Sequence, residues 1–125
     1  MIDHISVHVS DFTKAKEMYA KMLAPLGYSI ISDLAEWSVA GLGEGGKPDL
    51  WLSVREGRHS GHVALAASSK EAVDGFHKAG LEAGGSDNGK PGYRKEYSPG
   101  YYAAFIHDMD GNNIEVVFHD PAPSA

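Results

Sequence analysis

Seven histidines and no cysteine mean that metal or acid–base chemistry in this 125-residue chain must use imidazole, carboxylate and hydroxyl groups. Three residues stand out because of where strand alternation puts them. In His4-Ile5-Ser6-Val7-His8-Val9-Ser10 the aliphatic residues share one face, while His4, Ser6 and His8 share the other. The stretch His62-Val63-Ala64-Leu65-Ala66 repeats that pattern, and Ile114-Glu115-Val116 sets an acid between two aliphatics. Two imidazoles and a carboxylate meeting with other positions open would form a facial triad. Such a triad suits one divalent transition ion (Fe, Mn, Ni or Zn) and leaves room for water or substrate. His4, His62 and Glu115 are therefore the candidate metal ligands. They lie far apart in sequence, so the fold must bring them together.

The elements needed for this are legible. After the first strand, Asp11 is placed to cap a helix along which Phe12, Ala15, Tyr19, Met22, Leu23 and Leu26 recur at helical spacing. Pro25 and Gly27 close it. Three strands are expected next, at Tyr28–Ile31, Glu36–Ala40 and Asp49–Val54, with a turn-rich Gly41–Pro48 between the last two. The order then restarts. A strand at His62–Ala66 is followed by a capping-box spacing, Ser68 to Glu71, and by a buried stripe of Val73, Phe76, Gly80 and Leu81 that stops at Gly84 or Gly85. Gly84–Gly100 should hold a short strand and a long loop. Tyr101–His107 and Asn113–Phe118 finish the chain as strands around the Asp110-Gly111 turn.

Sliding the chain by 58 positions places His4 on His62, Ile5 on Val63, Val7 on Leu65, Met18 on Phe76 and Leu23 on Leu81. Six further residues in the second loop region bring Leu50-Trp51-Leu52 onto Ile114-Glu115-Val116. The reading is α+β: two βαβββ modules, about 1–56 and 60–120, within one domain spanning 1–125. They form a cup-shaped mixed sheet with flanking helices. Cup-facing positions would include His4, His62, Trp51 and Glu115.

Other residues fall around this cup. His8 shares a face with His4, and His119 stands in the same relation to Glu115 on the last strand, so either could line the pocket or handle a proton. Tyr101 and Tyr102 face opposite ways, so one tyrosine should reach the pocket, and Tyr102 is the catalytic candidate. Trp51 and Ser53 would form the opposite wall. The loop Lys90-Pro91-Gly92-Tyr93-Arg94-Lys95-Glu96-Tyr97 could fold over a substrate, with Arg94 or Lys95 engaging an anionic group and Tyr97 as a further substrate contact. His59, His77 and His107 read as ordinary surface or packing residues. The Asp108–Asn112 segment has the wrong spacing for a calcium loop and reads as a turn.

The blocks DHISVHVSD, GHVALAA and DMDGNNIEVVFH, in this order, resemble the three signature segments of the vicinal-oxygen-chelate superfamily, which includes glyoxalases, bleomycin-resistance proteins and dioxygenases. The resemblance covers nearly the whole chain. It implies that His4, His62 and Glu115 bind the metal. Glyoxalase I proteins carry a fourth ligand, a Glu on the last strand of the first module, where this chain has Trp51. Tryptophan neither ligates nor shuttles a proton, so lactoylglutathione-lyase activity is not implied. A three-ligand set resembles the fosfomycin-resistance transferases and the extradiol dioxygenases instead. The expected function is that of a metal-dependent enzyme of lyase/isomerase, transferase or dioxygenase type, acting on a small oxygen-bearing substrate. The competing expectation is a metal-free, ligand-sequestering protein of the bleomycin-resistance type, which holds its ligand between two subunits.

Composition bounds the rest. Seventeen acidic against eleven basic residues give a net charge of −6 with no basic run, which disfavours nucleic-acid binding. The absence of cysteine fits a reducing cytoplasm, and no apolar stretch approaches the roughly 20 residues that span a bilayer. Exposed strand edges on a small domain point to a homodimer.

Overall fold

A computed structural model describes residues 1–57 and 61–123. The first module runs β1 (Ile5–Val9), α1 (Phe12–Leu23), β2 (Ser29–Leu34), β3 (Val39–Gly43) and β4 (Leu50–Val54). The second runs β5 (His62–Ala66), α2 (Lys70–Glu82), β6 (Ser86–Tyr93), β7 (Tyr101–His107) and β8 (Asn113–His119). Each builds a four-stranded sheet of the same order, β1-β4-β3-β2 and β5-β8-β7-β6. In both, the first strand pairs parallel to the last and the remaining pairs are antiparallel.

The register reproduces the sequence repeat. Ser6 lies opposite Trp51 and Ala64 opposite Glu115, so Trp51 and Glu115 occupy equivalent positions. Val7, Val9, Leu50 and Leu52 of one sheet and Ala104, Ile106, Ile114 and Val116 of the other join the helices in a common core. The other faces carry Ser6, His8, Trp51 and Ser53 in module one and His62, Glu115 and Tyr101 in module two, as period-two geometry requires.

The helices follow their expected chemistry with two corrections. Asp11 accepts the Lys14 N–H at 3.0 Å as the cap of α1, and Gly27, at φ +85°, ends the turn that follows it. The cap of α2 is Ser69, not Ser68: its hydroxyl takes the Ala72 N–H at 3.1 Å. Leu81, expected in the buried stripe, is 42% exposed, and His77 takes a buried place with Val73, Phe76 and Gly80. Gly80 allows a close crossing, since a Cβ there would meet Ile106 at 3.0 Å and the Met22 sulfur at 3.2 Å.

The strands also differ from expectation in places. Residues Ala35–Trp37 form a 3-10 turn, and Ser38 adopts φ +54°, so the strand expected at Glu36–Ala40 starts only at Val39 and continues through Gly43. The glycines Gly41 and Gly43 read as turn residues, yet they sit in β3, where Pro48 and the Trp51 ring press against Gly41 and the Lys47–Pro48 backbone against Gly43. The segment expected to be mostly loop before Gly100 contains the eight-residue β6, whose register shifts twice around Gly89. No helix among the described residues is long and apolar enough to cross a membrane.

A buried polar hub ties the modules together. Asp108, in the β7–β8 turn, accepts the Tyr19 hydroxyl at 2.6 Å and the Asn112 side-chain amide at 2.8 Å on one oxygen. Its other oxygen takes the backbone N–H groups of Asp110 and Asn112, each at 2.9 Å. Asn112 also donates to the His8 carbonyl at 2.9 Å, and the Ser10 N–H donates to Asp110 at 3.1 Å. The end of β1 is thus held against the turn that precedes β8.

Candidate metal centre

Residue His62 opens β5, and Glu115 sits in the neighbouring β8. Their side chains leave the same face, and His62 Nε2 lies 3.2 Å from Glu115 Oε1. The other ring nitrogen, Nδ1, is 2.9 Å from the Asn113 carbonyl. A carbonyl can only accept, so Nδ1 carries the hydrogen, and in neutral imidazole Nε2 then presents a lone pair. That lone pair faces a carboxylate oxygen with no hydrogen between them. The contact is repulsive unless Nε2 takes a second proton or a cation sits beside both atoms. Fixing one imidazole nitrogen on a carbonyl while the other is offered outward is how metal-binding histidines are oriented.

Glu115 is 3% exposed, and its second oxygen accepts a hydrogen bond from the Tyr101 hydroxyl. Burial, reinforced by that bond and by the carboxylate charge, pushes the Tyr101 phenol up to about 12. Tyr101 therefore remains a proton donor to Glu115 and is unsuited to act as a base near neutral pH. Its ring is bracketed edge-on by Tyr97 at 5.2 Å and by His119 at 5.4 Å. His119 is exposed beside it, and Tyr97 is more than half exposed.

Of the three expected ligands, the structure brings together two. His4 lies just before β1, exposed, with Nδ1 at 2.7 Å from its neighbour Asp3. A hydrogen bond from Lys47, then one from His4, holds the Asp3 carboxyl below its usual range. Among the described residues no group of three or more His, Asp or Glu side chains could hold a metal ion. The donor pair itself fits such an ion. Nitrogen and oxygen sit side by side, each oriented through its far end, and the third expected ligand is elsewhere on the chain.

The remaining expected residues divide between the modules. His8 Nδ1 lies 3.0 Å from the Ser53 hydroxyl, directly across the β1–β4 ladder. Trp51 is partly buried over Gly41 and Pro48, so its ring forms the floor of the first sheet's polar face. A cavity of about 670 Å³ lies between the edges of β1 and β5, lined by Ile2, Ser6 and His8 on one side and His62, Ala64 and Asn112 on the other. His8 and His62 thus border one space although they belong to different modules.

Tyr102 does not belong to the site. Its hydroxyl donates to Asp74 of α2 at 2.6 Å, and its ring meets Tyr93 at 5.0 Å on the helix side of the sheet. Burial and the bond to Asp74 push its phenol up to about 12 as well. Tyr101 is the tyrosine that reaches Glu115. The signal was available: the tight turn sets His107 opposite Asn113, which puts Phe105 opposite Glu115 and gives Tyr101 the parity of the acid. His77 is buried against Asp87 at 2.9 Å, and His107 borders the polar depression around Asp108. His59 lies outside the described residues.

At the level of sequence, no family model and no curated protein matches this chain. Solved structures do. A glyoxalase/bleomycin resistance protein from Albidiferax ferrireducens T118 superposes with a TM-score of 0.80 at 25% identity, covering 93% of this chain and 97% of that one. A glyoxalase/bleomycin resistance protein/dioxygenase family enzyme from Burkholderia phytofirmans PsJN gives 0.67 at 17% identity, covering 94% and 98%. A mutant of the fosfomycin resistance protein FosX from Listeria monocytogenes, complexed with Mn(II) and 1S,2S-dihydroxypropylphosphonic acid, gives 0.64 at 17% identity, covering 94% and 88%. The chain has the vicinal-oxygen-chelate fold shared by glyoxalase/bleomycin resistance/dioxygenase proteins.

Proposed function

We propose that this protein is a divalent-metal-dependent enzyme of the glyoxalase/bleomycin-resistance/dioxygenase kind, of lyase/isomerase, transferase or dioxygenase type, acting on a small oxygen-bearing substrate. The observation that carries this reading is the His62–Glu115 pair, 3.2 Å apart, with each side chain oriented through its other end by Asn113 and Tyr101. His4 completes the set from a second copy of the chain in a homodimer. Two features support this assignment. His4 occupies the place in module one that His62 occupies in module two, and it is exposed at the head of an edge strand. The cellular setting of this reading is the cytoplasm.

A bound divalent ion would supply Lewis acidity to neighbouring oxygens of the substrate. The chain's own groups do the remainder. Asn113 fixes the His62 tautomer, and Tyr101 keeps one Glu115 oxygen occupied so that the other is presented. His119 and Tyr97 flank Tyr101 and wall the site. His119 is an exposed imidazole beside Tyr101 and is the residue proposed to take up or hold a proton; His8, bonded to Ser53, faces the shared cavity as a polar contact. Trp51, in place of a fourth ligand, supplies an apolar wall.

Mn(II) uptake followed by electron paramagnetic resonance tests the assignment. Wild-type protein should bind one ion per chain, and His62→Ala or Glu115→Gln should lose it. Mixing His4→Ala with His62→Ala chains should recover about a quarter of the sites by random pairing of protomers. Metal-free wild-type protein that also refuses added Mn(II) would overturn the reading in favour of metal-free ligand sequestration. Failure of the mixture to recover any site would remove the second copy from it.

A further inference from the structure

Arg94 lies immediately after β6, and its N–H donates to the Tyr101 carbonyl at 2.7 Å. Tyr93, one residue earlier, pairs with Tyr102 and points with it toward α2. Alternation turns Arg94 to the opposite face, where Tyr101, Phe105 and Glu115 lie. The guanidinium is held in place there. Nη1 donates to the Gly92 carbonyl at 2.8 Å and Nη2 to the Lys90 carbonyl at 2.7 Å, while the group lies over the Phe105 ring at 5.4 Å from its centroid. These contacts fix its orientation without neutralising it. Among the described residues no carboxylate forms an ion pair with Arg94, whereas Lys16, Lys21 and Lys47 each have one. Other described lysines also form no ion pair; Arg94 differs from them in being half-buried and tethered through both Nη atoms to backbone carbonyls on the face of Glu115.

We infer that Arg94 is an anion subsite of this face and that the substrate carries an oxyanion group, a carboxylate or a phosphonate, next to the oxygens that reach the metal. The inference rests on the proposed metal-dependent function for the second half of that statement. The chemistry is specific to arginine. Nη1 and Nη2 each keep a second N–H and Nε keeps one, so the outer edge of the fork can bind two oxygens of one anion. The two backbone carbonyls remove the rotamer freedom that such a contact would otherwise cost. Phe105, directly across the ladder from Glu115, spaces the cation from the ligand pair.

The test uses glycolate, hydroxymethylphosphonate and the neutral isostere glycolamide with the full-length protein. Binding is read by titration calorimetry, and Mn(II) occupancy is read separately by electron paramagnetic resonance. Wild-type protein should bind at least one of the two anions tenfold or more tightly than glycolamide. The tighter anion identifies whether carboxylate or phosphonate is the native group. Arg94→Gln should lose that preference while keeping wild-type Mn(II) uptake. Equal binding of glycolamide and both anions by wild type, or an unchanged preference in Arg94→Gln, would overturn the subsite and leave Arg94 a clamp on its hairpin. Should Arg94→Gln fail to fold, the wild-type comparison on metal-free protein decides, because a bound Mn(II) would by itself favour the anions. Should Mn(II) not bind at all, the metal reading fails, and the same anion preference measured on metal-free protein still judges Arg94.

Discussion

Replacing Tyr19 with Phe removes one hydroxyl from the centre of the molecule and nothing else. That hydroxyl donates to Asp108 at 2.6 Å from a fully buried ring, and burial with the Asp108 charge pushes its phenol well up, so it stays a donor. A hydrogen bond to a charged group contributes about 1.5–3 kcal/mol net. Asp108 keeps its bonds from Asn112 and Asp110, so the lower part of that range applies, about 2 kcal/mol. For a domain of this size each kcal/mol moves Tm by roughly 3–5 °C, which gives a fall of about 6–10 °C. Asp108→Asn should cost more, about 3–4 kcal/mol, because each carboxylate oxygen accepts two donors and an amide nitrogen cannot replace either oxygen. Thermal and urea unfolding of the two single variants and the double variant would give the cycle. A coupling of about 1–2 kcal/mol is expected, since both changes break the same bond. A Tyr19→Phe variant within about 0.5 kcal/mol of wild type, or strictly additive losses, would refute the view that this hub locks the modules together.

Acid should weaken the fold partly through Asp87, whose carboxyl is held below its ordinary 3.8 by hydrogen bonds with His77 and then the Gly89 N–H. A depressed carboxylate contributes stability that is complete above its unfolded value and fades as pH falls through the lowered folded value. Tm recorded from about pH 6 down to about pH 2 should therefore drop less steeply in Asp87→Asn than in wild type; parallel curves would contradict this. Gly100→Ala should destabilise by about 2–3 kcal/mol, since the residue holds a left-handed conformation at φ +80° and a Cβ would collide with the Asp120 carbonyl. Denaturant titration checks it, and a neutral effect would mean that the tail at Asp120 moves freely aside.

The fold is legible in the sequence because its pattern is redundant. Alternation, helix stripes and caps recur twice, and the observed registers Ser6–Trp51 and Ala64–Glu115 match the offset read from His4 and His62. Local preference misleads where tertiary packing overrides it. Gly41 and Gly43 look like turn residues, but they lie in β3 where the Trp51 ring and Pro48 approach Gly41 and the Lys47 carbonyl approaches Gly43 too closely for a side chain. Leu81 looked buried by type, yet the helix phase set by Val73, Phe76 and Gly80 carries His77 inward instead. For the site, the pairing of His62 with Glu115 followed from the repeat. The position of His4 did not, since alternation fixes a face and says nothing about which module's face it meets. Choosing between Tyr101 and Tyr102 required the hairpin register, which one residue of slip reverses.

Each module closes by laying its first strand parallel to its last, β1 on β4 and β5 on β8. Such a pairing cannot form early, because the whole intervening stretch must be looped out before the contacts repay it. The order of synthesis then decides when the site exists. His62 leaves the ribosome long before Glu115, and until β8 arrives the edge of β5 stays bare and the imidazole has no carboxylate beside it. The donor pair is therefore among the last features of the chain to be assembled, and a product shortened by its final strand would have no carboxylate beside His62.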